Sequence, residues 1–277
     1  MTKIAVTAVN TENGRSLEAA IKVELKKCAD IQLVEPDKDS GYILIVCGGD
    51  GFLINSVCAY LTSATGFFGI NLGRVGFLMN EIIGTNFDEI ARVVAKTFFE
   101  GTYKIVEHPL LRADVTFFGG TNRSMLAVND FSIERQADQT GRLKLSIDGE
   151  ELPTFSGDGI IIGTPAGSTA YTLSAGGAPI DHRVHCFIIT PNNPQRSAEF
   201  ANLNTSVILS DKAILRVEAL ERLKRPLKIV VDGVGFGGME KATIYVDPDT
   251  RLKLLWLSDW NYVARLSAKV FGRRVRR

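Results

Sequence analysis

The chain has 277 residues, 45% of them hydrophobic, with 32 Lys and Arg against 31 Asp and Glu. A net charge of +1 leaves no broad basic field, and nothing favours nucleic acid as a partner. No apolar run approaches the ~20 residues that span a bilayer, so no membrane partner is expected. Four scattered cysteines without ligand spacing predict a reducing compartment, the cytoplasm.

In chain order, residues 4–9 read as a first strand, too short and too mixed for a signal peptide. Ser16 is the expected cap of a helix over 17–28, with Leu17, Ala20, Ile21, Leu25 and Cys28 on one face. The continuous apolar run 42–47 predicts a buried strand, 52–61 a helix, 67–70 a strand, and 87–99 a helix capped by Asn86. Alternating strands and helices imply a parallel sheet covered on both faces. The texture changes at His108-Pro109. Strand-like segments follow at 111–117, 125–134, 142–147, 159–163, 186–190, 206–210, 213–218, 227–231, 242–246 and 252–257. Turn signals at Gly119-Gly120, Asp148-Gly149, Asp232-Gly233 and Pro248-Asp249 separate many of them, which predicts a β-rich second half.

The chemistry begins at Gly48-Gly49-Asp50-Gly51, between the 42–47 strand and the 52–61 helix. Glycines let a phosphate approach the backbone, and a helix N-terminus presents N–H groups to an anion. No Gly-Lys-Ser/Thr follows, and the G-x-G-x-x-G pattern is absent here. A carboxylate beside a polyphosphate costs roughly 4 kcal/mol per close pair at an effective dielectric near 20. Asp50 therefore makes sense if it meets a divalent cation or accepts a proton from an attacking hydroxyl; the plain alternative is a turn.

Three further segments extend the pattern: Gly69-Ile70-Asn71-Leu72-Gly73-Arg74-Val75-Gly76-Phe77-Leu78, the pair Asn129-Asp130, and a run from Asp158 through Thr164-Pro165-Ala166-Gly167-Ser168-Thr169-Ala170-Tyr171 to Gly177. In this order and spacing the chain resembles the NAD kinase family, closely over about 40–180 and loosely elsewhere. Gly-Gly-Asp-Gly is shared with lipid kinases and phosphofructokinases; the Thr-Pro-x-Gly-Ser-Thr-Ala-Tyr run is far more specific. The resemblance implies transfer of the terminal phosphoryl group of ATP, or of polyphosphate, to the 2′-hydroxyl of the adenosine ribose of NAD, with Mg²⁺ or another divalent cation. It makes Asp50 the catalytic residue and assigns NAD binding to Asp50, Gly51, Asn129, Asp130, Asp158, Thr169, Ala170, Tyr171, Thr172, Leu173 and Ser174. It implies a Rossmann-like α/β domain over 1–107, a β-rich, sandwich-like domain over 108–257, a segment 258–277 returning to the first, and a homodimer or homotetramer. A lipid kinase using the same loop, or a silent dinucleotide-binding sensor, are the rival readings.

The small residues Ala166, Gly167, Ser168 and Ala170 would let a flat base lie close to the backbone. The hydroxyls of Thr169 and Tyr171 and the Asp158 carboxylate could meet amino and hydroxyl groups of a nucleotide. Phe77 reads either as a ring that stacks on a ligand or as a core residue, and Arg142 either as solvent-facing or as reaching a neighbouring subunit's ligand. The chain departs from the family at Asp130, where Glu is commoner, at Ser156, where some members carry a basic residue, and in the Thr190-Pro191-Asn192-Asn193-Pro194 segment. Asp232-Gly233 matches a late Asp-Gly of the family loosely. His182 and His185 have no third ligand and read as surface residues, and Lys269, Arg273, Arg274, Arg276 and Arg277 read as a solvated tail or a polyphosphate contact.

Overall fold

A computed structural model describes residues 1–73, 76–195 and 203–270, without the side chain of Lys269. Arg74, Val75 and the tail arginines lie outside the described residues. Two compact units emerge, the first from Met1–Glu107 with the described part of 252–277, the second from His108–Arg251.

The first unit runs β1 (Thr2–Ala8), α1 (Glu12–Leu25), β2 (Ile31–Leu33), β3 (Tyr42–Gly48), α2 (Asp50–Tyr60), β4 (Ala64–Asn71) and α3 (Phe87–Glu100). The strands are parallel in the order β2-β1-β3-β4. Leu254, near the end of the long last strand, pairs with Phe67 of β4, also in parallel. Leu17, Ile21 and Leu25 of α1 and Ala91, Val94 and Phe98 of α3 join one core with Ile4, Ile45, Phe68 and Ile70 of the sheet. The strand order reverses between β1 and β3, and in open α/β sheets ligands bind beyond the carboxyl ends of strands at such a point. The Gly48-Gly49-Asp50-Gly51 segment leaves the sheet there, at the end of β3.

Two expectations for this unit are corrected. Helix α1 is capped by Thr11, whose Oγ1 accepts from Gly14 N at 3.1 Å, and not by Ser16. Helix α2 starts at Asp50 itself, with Gly49 as an extended cap residue that makes no side-chain bond. The predicted Asn86 cap of α3 is present, its side chain accepting from Glu89 N at 2.9 Å.

The strand β5 (Tyr103–Phe117) leads into the second unit, followed by β6 (Asn122–Ala127), β7 (Asp130–Arg135), β8 (Gly141–Ile147), β9 (Glu150–Glu151) and β10 (Phe155–Gly163). A 3₁₀ turn at Gly167–Thr169 and the short helix α4 (Tyr171–Ser174) precede β11 (Cys186–Pro194), β12 (Val207–Ser210), β13 (Leu215–Ala219), β14 (Leu227–Val231), β15 (Val234–Gly237) and β16 (Met239–Leu257). One layer is ordered β6-β5-β16-β13-β8 and the other β15-β14-β7-β10-β11-β12. β10 serves both, pairing with β8 over Phe155 to Gly157 and with β7 from Gly159 onward. Their inner faces meet in an apolar core that includes Val115, Phe131, Ile133, Leu145, Phe155, Ile162, Phe187, Leu215, Ile229 and Ile244. The unit is a β-sandwich, and the whole is the α/β-plus-β architecture expected.

The run expected as one strand over 125–134 is two, β6 and β7, broken at Val128 and Asn129. The turn expected at Pro248-Asp249 is instead interior to β16. There the buried Asp247 carboxylate accepts from Asp249 N at 3.0 Å and Thr250 N at 2.6 Å, and pairs with Arg112. After β16 comes a helix that the sequence reading missed, α5 (Tyr262–Val270).

Candidate functional site

Asp50 opens α2 half-buried, and its carboxylate is turned onto another loop. Its Oδ2 accepts from Phe77 N at 2.9 Å and its Oδ1 from Leu78 N at 3.1 Å. A β-carbon on Gly76 would stand 2.7 Å from Asp50 Oδ1, so glycine at 76 is what lets that loop close over the carboxylate. The loop is pinned by Asn80, a buried side chain whose Nδ2 donates to Gly69 O and Leu255 O, both at 3.0 Å. Asn80 Oδ1 accepts from Leu257 N at 2.9 Å. The motif thus encodes a brace from β4 and the end of β16, through Asn80, to Asp50. No neighbouring atom lies within 4 Å of where side chains on Gly49 and Gly51 would begin, and a helix N-terminus such as that of α2 directs backbone N–H groups outward. Phe77 is 5% exposed with its ring 6.4 Å from that of Tyr262 on α5, a packed position.

In the second unit Asn129 and Asp130 form the turn between β6 and β7 and line a cleft of about 320 Å³ with Ala170 and Tyr171. Ser132, Glu134, Val230, Asp232 and Gly233 complete the lining; of these the sequence pointed only to Asp232-Gly233, as a turn and a loose family match. The run 164–169 folds directly onto the turn. Thr164 N donates to Asn129 O at 2.8 Å, Thr164 Oγ1 donates to Val128 O at 2.7 Å, and Gly167 N donates to Thr164 Oγ1 at 2.9 Å. A side chain on Gly167 would overlap the Asn129 carbonyl, so the glycine is required by close approach.

The electrostatics of this cleft are uneven. Asn129 Oδ1 is buried and has no hydrogen-bond partner among the described residues. The Asp130 carboxyl, 7% exposed, is pushed up to about 7 by burial, then by the charges of Asp232 and Glu134. Burial also raises Asp232, but three backbone N–H groups oppose that rise. The three amides favour the charged form of Asp232, and that charge in turn favours the protonated form of Asp130.

Asp158 stands apart from the cleft lining. It is held below the ordinary carboxylate range by the Asn193 amide, at 3.1 Å, and by Arg135, whose Nε is 2.6 Å away. The adjacent Asn192 donates its Nδ2 to Tyr171 Oη at 3.0 Å, so the two asparagines of the 190–194 segment serve Asp158 and Tyr171 in turn. The Thr169 hydroxyl is buried and bonds Ala166 O at 3.4 Å; Thr172 is wholly buried; Leu173 is half-buried; Ser174 is exposed. Arg142 pairs with Glu221 of its own chain. His182 is not a surface residue: its ring lies 5.5 Å from that of the buried His108, whereas His185 is exposed. Among the described residues, no three His, Cys, Asp or Glu gather as a metal site, and no helix is long and apolar enough to cross a membrane.

Residues 128–242 match the family model of the ATP-NAD kinase C-terminal domain. The NAD kinase of Rickettsia bellii is 31% identical over 275 residues, 98% of this chain and 99% of that protein. The NAD kinase of Mesorhizobium japonicum is 30% identical over 270 residues, 97% of this chain and 96% of that one. The fold is similar to that of yeast NADH kinase complexed with NADH, with a TM-score of 0.82 at 20% identity, covering 100% of this chain and 90% of that one. It is also similar to an Archaeoglobus fulgidus NAD kinase in complex with ATP, with a TM-score of 0.73 at 21% identity, covering 99% and 100%.

Proposed function

This chain belongs to the NAD kinase family and phosphorylates NAD to NADP, and we propose that Asp50 is its catalytic residue. The observation that carries the assignment is the fixed carboxylate: Asp50 is held by the amides of Phe77 and Leu78 at the opening of α2, at the switch point of a parallel sheet. Each oxygen accepts one N–H there and keeps a lone pair for another partner. In the reaction the ribose 2′-oxygen bonds to the terminal phosphorus of ATP and its proton passes to Asp50, while the bridging P–O bond breaks and ADP leaves. The uncrowded glycines at the N-terminus of α2 suit a phosphate group of the donor.

A divalent cation fits these residues. Asp50 would offer such an ion a carboxylate oxygen, the kind of ligand that Mg²⁺ takes alongside phosphate groups. When bound, it offsets the phosphate charge that otherwise disfavours a carboxylate here.

For NAD, the buried and unpartnered Asn129 Oδ1 supports a role as acceptor for an amino or amide N–H. Leaving such a group unpaired costs about 1–3 kcal/mol, which a ligand donor would recover. Asp130 suits ribose hydroxyls, the exposed Tyr171 ring and the Ala170 backbone suit a flat base, and Asp158 keeps Asn193 in place beside Asn192. Thr169 and Thr172 act by packing beneath these groups, and Leu173 and Ser174 border them. The three carboxylates in the cleft lining, Asp130, Glu134 and Asp232, disfavour a lipid tail there. Homodimeric or homotetrameric assembly is part of the proposal and is read by sedimentation.

Incubation with NAD, Mg²⁺ and ATP, with enzymatic detection of NADP, tests the reading. The expected result is NADP that depends on both nucleotide and cation, with polyphosphate substituted for ATP in a parallel arm. Binding of NAD without any NADP from either donor would leave the silent-sensor reading standing instead.

A further inference from the structure

We infer that Asp232 is a positioning residue for the dinucleotide, acting through the Asn129–Asp130 turn; the inference rests on the NAD-kinase reading of that turn. Asp232 Oδ2 accepts from Val128 N at 2.7 Å, and Oδ1 from Asn129 N at 2.8 Å and Asp130 N at 3.2 Å. Two of these amides, Val128 and Asn129, fall between β6 and β7 outside either strand, and the third opens β7. Without the carboxylate they would be orphaned in a mostly buried place.

The hairpin β14–β15 delivers that carboxylate. Its two-residue turn is Asp232-Gly233, with φ of 45° and 89°, the left-handed pair that a tight hairpin needs. β14 lies antiparallel to β7 with Val231 opposite Phe131, which brings Asp232 level with Asp130, and Asp232 N donates to Asp130 O at 3.1 Å. Turn and carboxylate are therefore locked in one register. A residue needed only to close a hairpin would have no reason to gather the backbone of a segment whose side chains line the cleft.

Asp232 has a second influence on the same turn. The titratable groups facing Asp130 are Asp232 from the hairpin, Glu134 from β7, and the neutral Tyr171 hydroxyl from α4, with Lys228 of β14 paired to Glu134 at 3.0 Å. Removing the Asp232 charge eases ionisation of Asp130, so the pH dependence of NAD use should move with it.

The test is steady-state kinetics of the full chain, with Asp232→Asn and Asp232→Glu beside wild type, each checked for folding by thermal melting. Asp232→Asn is expected to raise KM for NAD about tenfold or more, as lost charge-assisted hydrogen bonds do, with KM for ATP nearly unchanged. Its kcat/KM profile for NAD should lose its limb near pH 7 toward lower pH, as a merely structural role would not require. Asp232→Glu keeps the charge, so its limb should stay while KM for NAD rises; this arm stands if the asparagine variant fails to fold. Wild-type KM for NAD and an unmoved limb would overturn the inference, as would equal losses toward NAD and ATP. If wild type itself makes no NADP, the functional reading falls and takes this inference with it; NADP from wild type with indifferent variants sinks the inference alone.

Discussion

The cradle of Asp50 and the turn of Asn129-Asp130 are each closed by a carboxylate that collects backbone N–H groups, yet they leave different groups free. In the cradle the carboxylate that is held is the one proposed to react: Phe77 N and Leu78 N fix Asp50. In the turn the held carboxylate is Asp232, while Asp130 is buried with no hydrogen bond to its carboxylate among the described residues and is pushed up to about 7. The first arrangement fixes a charge for chemistry. The second fixes a backbone and leaves its side chains to the ligand.

If that contrast is right, crowding the two turns should damage different kinetic constants. Gly76→Ala puts a β-carbon against Asp50 Oδ1 and must displace the carboxylate. We expect kcat to fall about 100-fold, the scale of a 1 Å misplacement, with KM for NAD nearly unchanged. Unaltered kcat would mean that Asp50 does not depend on the hold described. Gly167→Ala crowds the Asn129 carbonyl instead. There the expected change is a rise of about tenfold or more in KM for NAD, with a loss of ~1–3 kcal/mol in stability by melting. A fall in kcat alone would erase the distinction between the turns.

A smaller effect separates the carboxyls by pH. Asp130 titrates at about 7 in the fold against an ordinary 3.8. Between those values the folded chain holds a proton that the unfolded chain has released, so this group makes stability fall as pH rises from about 4 to about 7. Asp130→Asn removes the effect, and its stability relative to wild type should improve by about 2 kcal/mol between pH 5 and pH 8. An offset that stays constant across that range would show that Asp130 is ionised throughout. The smallest change is expected from Tyr171→Phe, which loses the Asn192 bond at a partly exposed site. It should alter KM for NAD by less than about tenfold, and a larger loss would give Tyr171 a direct polar contact with the ligand.

Much of this was legible in the sequence, though unequally. The apolar runs of β3 and β4 and the Gly-Gly-Asp-Gly break between strand and helix follow from local pattern, as does the Asn86 cap. The start of α1 was hidden because Glu12, Asn13, Gly14 and Arg15 carry no apolar period, so the signal begins only at Leu17, well over a turn after the true cap Thr11. Pro248 reads as a turn residue, but the strand survives because Asp247 supplies acceptors for the neighbouring amides. Within the site, Asn129, Asp130, Ala170 and Tyr171 share the cleft. The hold of Asp232 on the turn could not be found locally: its partners are more than a hundred residues away in sequence, and its own pair with Gly233 signals a hairpin and a loose family match. The roles of Asn192 and Asn193 likewise depend on β11 lying beside β10.

The most direct measurement is Asp50→Asn in the full chain, with NADP formation and NAD binding by calorimetry recorded on the same preparation. The account predicts turnover reduced by about a thousandfold or more with NAD still bound, because the variant removes the proton acceptor while keeping its shape. Turnover close to that of wild type would contradict it.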